Sequence, residues 1–280
     1  MNKTLRSRLE VSLIYLFLGF MALIIGYPLL WTLGMSLNEG SSMFSNTMIP
    51  ENISFSHYQW LFTDPNSDYL IWYKNSLIVA VANSFFSVII TAFIAYAFSR
   101  YRFHGRTYGL YAFLVLQMFP SIMAMVAIYI LLNLIGLYDN LYGLILVYVG
   151  GQIPFNAWLV KGYFDTLPKE LDEAAKIDGA GHFGVFFRIL LPLAQPILAV
   201  VALFNFMTPF VDFILPRIVL RSTENYTLAL GLFNFINQEF GANFTRFAAG
   251  SILIAIPIAI IFLFLQRFLI SGLTAGGTKG

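Results

Sequence analysis

The 280-residue chain contains no cysteine. That excludes disulfides and thiolate chemistry and leaves the compartment open. Charge is nearly as scarce: Asp, Glu, Lys and Arg make up 11% of the residues, against roughly 25% in a soluble domain. The net charge of +2 provides no basic footprint for nucleic acid. The three histidines, His57, His104 and His182, all fall in polar stretches and form no HExxH pair for a metal. No GxSxG elbow marks a hydrolase nucleophile. Gly276-Gly277-Thr278-Lys279 lacks the glycine spacing and following hydroxyl residue of a phosphate-cradling loop, so the chain does not bind ATP in that manner. No internal repeat, low-complexity tract or separate soluble domain interrupts it.

What is present is apolar. Hydrophobic residues make up 59% of the chain and aromatics 17%, with 29 Phe, and the mean hydropathy is +0.76. A helix crosses the hydrocarbon core with about 20 apolar residues. Six runs qualify: Val11 to Leu33, Ser76 to Phe98, Tyr108 to Leu134, Leu141 to Tyr163, Pro196 to Leu215 and Ala248 to Ile270. The fold class is therefore an all-α integral membrane protein, one transmembrane domain over residues 1–280. The first run follows Lys3, Arg6 and Arg8, as a signal peptide would. It is too long for one, and no small-x-small cleavage site follows, so it is read as an uncleaved helix kinked at Pro28. Gly34 to Asn75 is the longest polar stretch, and its aromatic residues, Trp60, Trp72 and Tyr73 among them, suggest a loop folded along the interface.

The basic residues orient these spans. Of the 16 Lys and Arg, twelve fall on the side of the termini and of the second and fourth loops: Lys3, Arg6, Arg8, Arg100, Arg102, Arg106, Lys161, Lys169, Lys176, Arg188, Arg267 and Lys279. Lys74, Arg217, Arg221 and Arg246 fall on the other. Positive loops stay inside, which makes both termini cytoplasmic.

The longest charged segment past the N-terminal third is LPKELDEAAKIDGAGHFGVFFRILLPLAQP, residues 167–196. Pro168 suits a first helical position, and Glu170, Asp172 and Glu173 suit the opening turns, where the helix dipole favours acids. Leu171, Ala174 and Ala175 are expected on one face by their three- and four-residue spacing. Asp178-Gly179-Ala180-Gly181 reads as a stop, and a second short helix, His182 to Leu191, runs into Pro192. A short helix with a small alanine face and an acidic flank is either a docking knob for a large partner or a solvated linker; helix chemistry leaves both open.

This segment resembles the EAA loop that marks the membrane subunits of ABC importers. Glu173-Ala174-Ala175 is followed after three residues by Gly179 and, nine further on, by Ile189 and Leu191-Pro192. Asp178-Gly179-Ala180 and Pro196 resemble companions seen in the sugar-transporting branch. The closing stretch GLTAGGTKG is similar to the tail of maltose-type second permease subunits. The resemblance implies a type I importer permease in a bacterial cell membrane. It would form half of a path for maltodextrin-like oligosaccharides, beside a sister permease, a cytoplasmic ATPase dimer and an extracytoplasmic sugar-binding protein. No cofactor is expected on this chain; ATP is used by the partner ATPase. The coupling residues implied are Glu170, Glu173, Ala174, Ala175, Asp178, Gly179, Ile189 and Pro192.

Polar residues at membrane depth are functional candidates by default. Asn205, Thr208 and Asp212 are spaced to share a face if Pro209 only bends their helix. Asp212 either extends that stripe along a substrate path or lies at the outer interface, capping the helix or paired with Arg217. The family's sugar-transporting branch often carries aromatic-Asn-Asp-aromatic before a proline here; Phe210-Val211-Asp212-Phe213 puts Val211 where that Asn would be. Gln117 is read as path lining, Gln152 as packing, and Asn83 and Ser84 as contacts between helices. A stand-alone carrier or channel is the alternative function; it needs an ion-coupling carboxylate, for which Asp212 is the candidate.

Overall fold

The computed structural model describes residues 3–41, 48–237 and 243–277, with 3–9, 121 and 270–277 described by backbone alone. The basic side chains of Lys3, Arg6, Arg8 and Lys279, and the last residues of the GLTAGGTKG stretch, lie outside what is described.

The helices are α1 (Lys3–Ser36), α2 (Ser56–Thr63), α3 (Tyr69–Arg100), α4 (Arg106–Gln117), α5 (Ser121–Leu134), α6 (Leu141–Thr166), α7 (Glu170–Ile177), α8 (His182–Val185), α9 (Leu191–Leu193), α10 (Gln195–Val211), α11 (Ile214–Val219), α12 (Leu228–Ile236) and α13 (Phe244–Gly277). A π turn, Phe186–Leu190, joins α8 to α9. Glu10–Ser36, Tyr69–Arg100, Leu141–Thr166 and Phe244–Leu269 are each long and apolar enough to cross a membrane. Two bent pairs complete the set, α4 with α5 at 99° and His182–Leu193 with α10 at 77°. Counting each bent pair as one span brings the four to six, by length and composition.

The described residues form two compact units, Met1–Ser67 with Leu232–Ala255, and Asp68–Gly231 with Ile256–Gly280. In the first, His57 is buried and its Nε2 lies 3.0 Å from the Asn38 carbonyl. Burial lowers its pKa from the ordinary 6.5. Arg246 stacks over the Trp60 ring at 3.8 Å.

The second unit is organised on α3, which packs against α6 and α10. Ser76, Ala80, Asn83, Ser87, Thr91, Ala95 and Ser99 recur at three- and four-residue intervals and are all buried. Small residues on one stripe let helix backbones approach closely in lipid, where no hydrophobic force drives helices together. The starts of α3 and α6 lie together at one end. There Asn75 Nδ2 donates to the Glu224 and Tyr226 carbonyls, and the Trp72 indole donates to the Thr223 carbonyl. At the same end the Asp139 carboxylate accepts from the Arg221 and Ser222 amides and the Ser222 hydroxyl. Burial raises its pKa, but those hydrogen bonds outweigh it and hold the group below its ordinary value.

Several boundaries differ from the sequence reading. The polar stretch after α1 is not all loop: α2 forms within it, and Trp72, Tyr73 and Asn75 belong to α3. Pro28 lies within a continuous α1. The break at Pro120 splits its run into separate helices, because proline supplies no N–H and pushes the preceding residue out of helical geometry. The fifth run stops at Val211 rather than Leu215, and α13 begins at Phe244 and continues to Gly277.

Candidate functional site

The segment after α6 is held from below by one side chain. Arg100, the last residue of α3, donates to the Phe164 and Leu167 carbonyls at 3.0 and 3.1 Å. These carbonyls lie at the C-terminal end of α6, where helix geometry leaves such groups short of donors; that of Phe164 accepts also from the Leu167 amide. The same guanidinium places Nε 2.6 Å from Asp172 Oδ2, with both side chains almost fully buried. Beside it, Ser99 donates to Asp165 at 2.7 Å, and Lys161 pairs with Asp165.

Helix α7 starts at Glu170, two residues later than Pro168 suggests, with Glu170, Asp172 and Glu173 in its first turn. Its buried residues are Asp172 and Ala175. This corrects the expected face. Leu171 and Ala174 are exposed, so the two alanines divide between sides, because the ion pair with Arg100 turns Asp172 inward. Gly179 has φ +84°. The Ala180 amide donates to the Ala175 carbonyl and the Gly179 amide to that of Lys176, which is the paired bonding of a left-handed glycine stop.

Past the stop, Val185, Phe186, Leu190 and Ala194 are buried against Ala92, Ala95, Tyr96 and Phe164. Phe186 stacks on Phe93 at 4.7 Å, and the Tyr96 hydroxyl donates to the His182 carbonyl. The π turn ends two residues before Pro192, whose ring would crowd the Arg188 carbonyl in a regular α-helix. The surface left outside carries Glu170, Glu173, Ala174 and Asp178 with Ile177 (86% exposed) and Phe183 (73%). Of the remaining motif residues, Ile189 is half-buried in the core cluster and Pro192 sits in α9.

A second feature lies higher in the same unit. A cavity of about 340 Å³ is lined by Gln117, Gly151, Gln152, Phe155, Asn156, Leu159, Val201, Phe204, Asn205 and Thr208. No charged residue is among them. Gln152 Nε2 donates to Thr208 Oγ1 at 3.3 Å, and Asn156 Nδ2 to Asn205 Oδ1 at 3.3 Å. Asn83 Nδ2 donates to the Asn205 carbonyl at 2.7 Å. That last bond has a local cause. Pro209 has no N–H to offer the carbonyl four residues earlier, which is that of Asn205, and a buried carbonyl needs a donor. Ser84 donates to the Ala202 carbonyl at 2.9 Å.

The cavity brings Gln117, Asn205 and Thr208 together and leaves Asp212 out. Backbone extension at Asp212 ends α10. Its Oδ1 accepts from the Ile214 and Leu215 amides at the start of α11, and its Oδ2 from the Tyr148 hydroxyl at 3.0 Å. Asp212 therefore caps a helix, with Tyr148 rather than Arg217 as its side-chain partner. Gln152, read as packing, lines the cavity. The sequence reading missed Phe155 and Phe204 as lining, and missed Arg100 as anything beyond loop charge. The signal for Arg100 was the first residue of a basic turn ending an apolar run, with acids some seventy residues on, and sequence spacing does not encode such a pairing.

The family model described as binding-protein-dependent transport system inner membrane component matches residues 87–274. The chain is 49% identical over 276 residues to the galactooligosaccharides transport system permease protein GanQ of Bacillus subtilis (strain 168), covering 98% of each. It is 45% identical over 280 residues to the maltodextrin transport system permease protein MdxG of the same organism, covering 100% of each. Against the maltose/maltodextrin transport system permease protein MalG of Escherichia coli (strain K12) it is 37% identical over 295 residues, covering 99% of this chain and 98% of the relative. A solved bacterial ABC transporter involved in import of the acidic polysaccharide alginate matches with a TM-score of 0.76 over 95% of this chain and 98% of that one, at 24% identity. That likeness establishes the type I ABC importer permease fold. With the matched region running from α3 into α13, and whole-length relatives that are permease components rather than enzymes, the chain belongs to the family of binding-protein-dependent transport system inner membrane components.

Proposed function

We propose that the protein is the permease subunit of an ATP-driven importer of neutral oligosaccharides of the maltodextrin class, and forms half of the translocation path. The observation that carries this is the uncharged cavity of amides, a hydroxyl and aromatic rings. Sugars present hydroxyls that donate and accept, and C–H faces that pack on aromatic rings. Side-chain amides and hydroxyls answer the first, and Phe155 and Phe204 the second. Among the described residues no carboxylate lines the cavity, and Asp212 is committed to capping. This supports a subunit of an ATP-driven importer over a stand-alone ion-coupled carrier. The three relatives named above transport galactooligosaccharides, maltodextrin and maltose or maltodextrin by name; all three support a neutral oligosaccharide, and two of them the maltodextrin class.

Energy enters through α7. A separate cytoplasmic ATPase dimer docks on the exposed face of Glu170, Glu173, Ala174 and Asp178, with Gly179 fixing the turn and Ile189 and Pro192 anchoring the segment. The sequence carries no phosphate-cradling loop, which supports an ATPase on a separate chain. A sister permease completes the path and an external binding protein delivers the sugar. Basic residues gather at the end of α3 and α6 that carries α7, in support of a cytoplasmic position for that end and for both termini.

The test is uptake of labelled maltotriose, with a galactose-based trisaccharide in parallel, in cells carrying Glu173→Lys at normal membrane abundance. Uptake should fall at least about tenfold, as loss of a charged contact costs, and the ATPase should no longer co-purify. Normal uptake with the ATPase still bound would refute docking through Glu173. Preference of cells carrying the unsubstituted protein for the galactose-based sugar would overturn the maltodextrin assignment alone.

A further inference from the structure

Docking on α7 explains where force enters, not how it reaches the cavity. The exposed acids of α7 face outward, and the cavity lies well up α6: Asn156 precedes Phe164 by two helical turns, roughly 12 Å along the axis. Something must tie α7 to the helices that line the cavity, or its displacement would be absorbed by the loop at Leu167 and Pro168.

We propose that Arg100 and Asp172 form that joint, as positioning residues through which displacement of α7 is passed to α3 and α6. Three observations converge on it. Arg100 is the last residue of α3 and binds the carbonyls of Phe164 and Leu167, so one guanidinium joins the ends of two spans. It touches Asp172, one of only two buried residues of α7. Both spans reach the cavity: α6 supplies Gly151, Gln152, Phe155 and Asn156 to its wall, and α3 binds Gln152 and Asn205 through Asn83.

The pair is also incompletely satisfied. Arg100 Nε lies 2.6 Å from the carboxylate, yet its N–H is not aimed well enough to make a hydrogen bond, and Asp172 Oδ1 has no hydrogen-bond partner. A buried ion pair is costly unless its remaining hydrogen-bonding capacity is met.

This inference rests on α7 as the ATPase-docking helix, and its test separates the two. The complete complex with ATPase, sister permease and binding protein is reconstituted in proteoliposomes, and sugar uptake and ATP hydrolysis are measured together. The quantity read is sugar moved per ATP. Asp172→Asn keeps the shape and the α6 contacts of Arg100 but removes the charge. It should lower the ratio about fivefold, within the range by which residues on a coupling route act, while the ATPase remains bound. Asp172→Glu should restore it. A structural role alone would lower both rates together, and an unchanged ratio overturns the joint. If Asp172→Asn does not reach the membrane, Arg100→Lys carries the same expectation, since an ammonium cannot hold both carbonyls and the carboxylate in a fixed fork; a normal ratio there also overturns it. Glu173→Lys in the same assay isolates the docking reading. If it loses the ATPase while Asp172→Asn keeps a normal ratio, docking stands and the joint fails. If it keeps the ATPase, the docking reading itself fails.

Discussion

At the scale of single residues, the interior of this protein is ordered by carbonyls that lack a helical donor. Asn205 is the clearest case. Its carbonyl is freed by Pro209, lies in a residue only 2% exposed, and is met by Asn83 at 2.7 Å. Ser84, one residue on, makes a superficially similar bond to the Ala202 carbonyl, but that carbonyl keeps its regular donor, the Phe206 amide four residues later in α10. The two sites therefore predict different costs. Asn83→Ala should destabilise the detergent-solubilised protein by about 1–2 kcal/mol, the penalty of a buried acceptor left alone. Ser84→Ala should cost no more than about half of that, near the average for a hydrogen bond between helices in membranes. Thermal unfolding of both variants in one detergent decides it, and equal effects would mean that Pro209 is not what makes Asn83 matter. The sequence shows a proline and an asparagine in separate apolar runs and marks Asn83 as a contact residue. It contains nothing that pairs the two, because the pairing depends on how α3 and α10 are set against each other.

At the scale of elements, the short helix and glycine stop after α6 were readable, while several span boundaries and the helix faces were not. The acids of the first turn, the glycine stop and the proline after the second helix identify the segment between α6 and α10 from residue chemistry alone, since each acts within a few positions of itself. Which side of α7 turns inward is decided by Arg100, some seventy residues away in the chain, so the alanine face expected from spacing proved to be divided. The glycine stop carries a prediction of its own. A Cβ at Gly179 meets nothing within 4 Å, so its requirement is conformational rather than steric: φ is +84°. Gly179→Ala should weaken the end of α7 by about 1–2 kcal/mol, the cost of a left-handed backbone for an L-residue. Hydrogen exchange of the amides around Ala180 should then quicken by roughly 5- to 30-fold. Exchange unchanged there, with the fold otherwise intact, would show that the stop does not depend on glycine.

At the scale of the whole molecule, six apolar runs were legible because bilayer thickness imposes a length that composition cannot disguise. The breaks were not. Pro120 signals an interruption, but nothing near it in the sequence sets an angle of 99° between α4 and α5, or of 77° between His182–Leu193 and α10. The cavity belongs to the same class of unreadable feature, since its walls come from α4, α6 and α10. Orientation across the membrane is different, because it follows from the asymmetry of lysine and arginine and can be tested without reference to transport. The absence of cysteine makes the chain its own blank for thiol labelling. His104, exposed in the turn between α3 and α4, and Arg221, exposed beside the Asp139 hub, lie at opposite ends of the second unit by the helices they adjoin. A membrane-impermeant maleimide should label Arg221→Cys in intact cells whose outer barrier has been removed, and His104→Cys only after the membrane is permeabilised. The reverse pattern would place α7 outside, away from ATP. An ATPase could not then reach Glu173, and the proposed coupling would fail whatever the sugar.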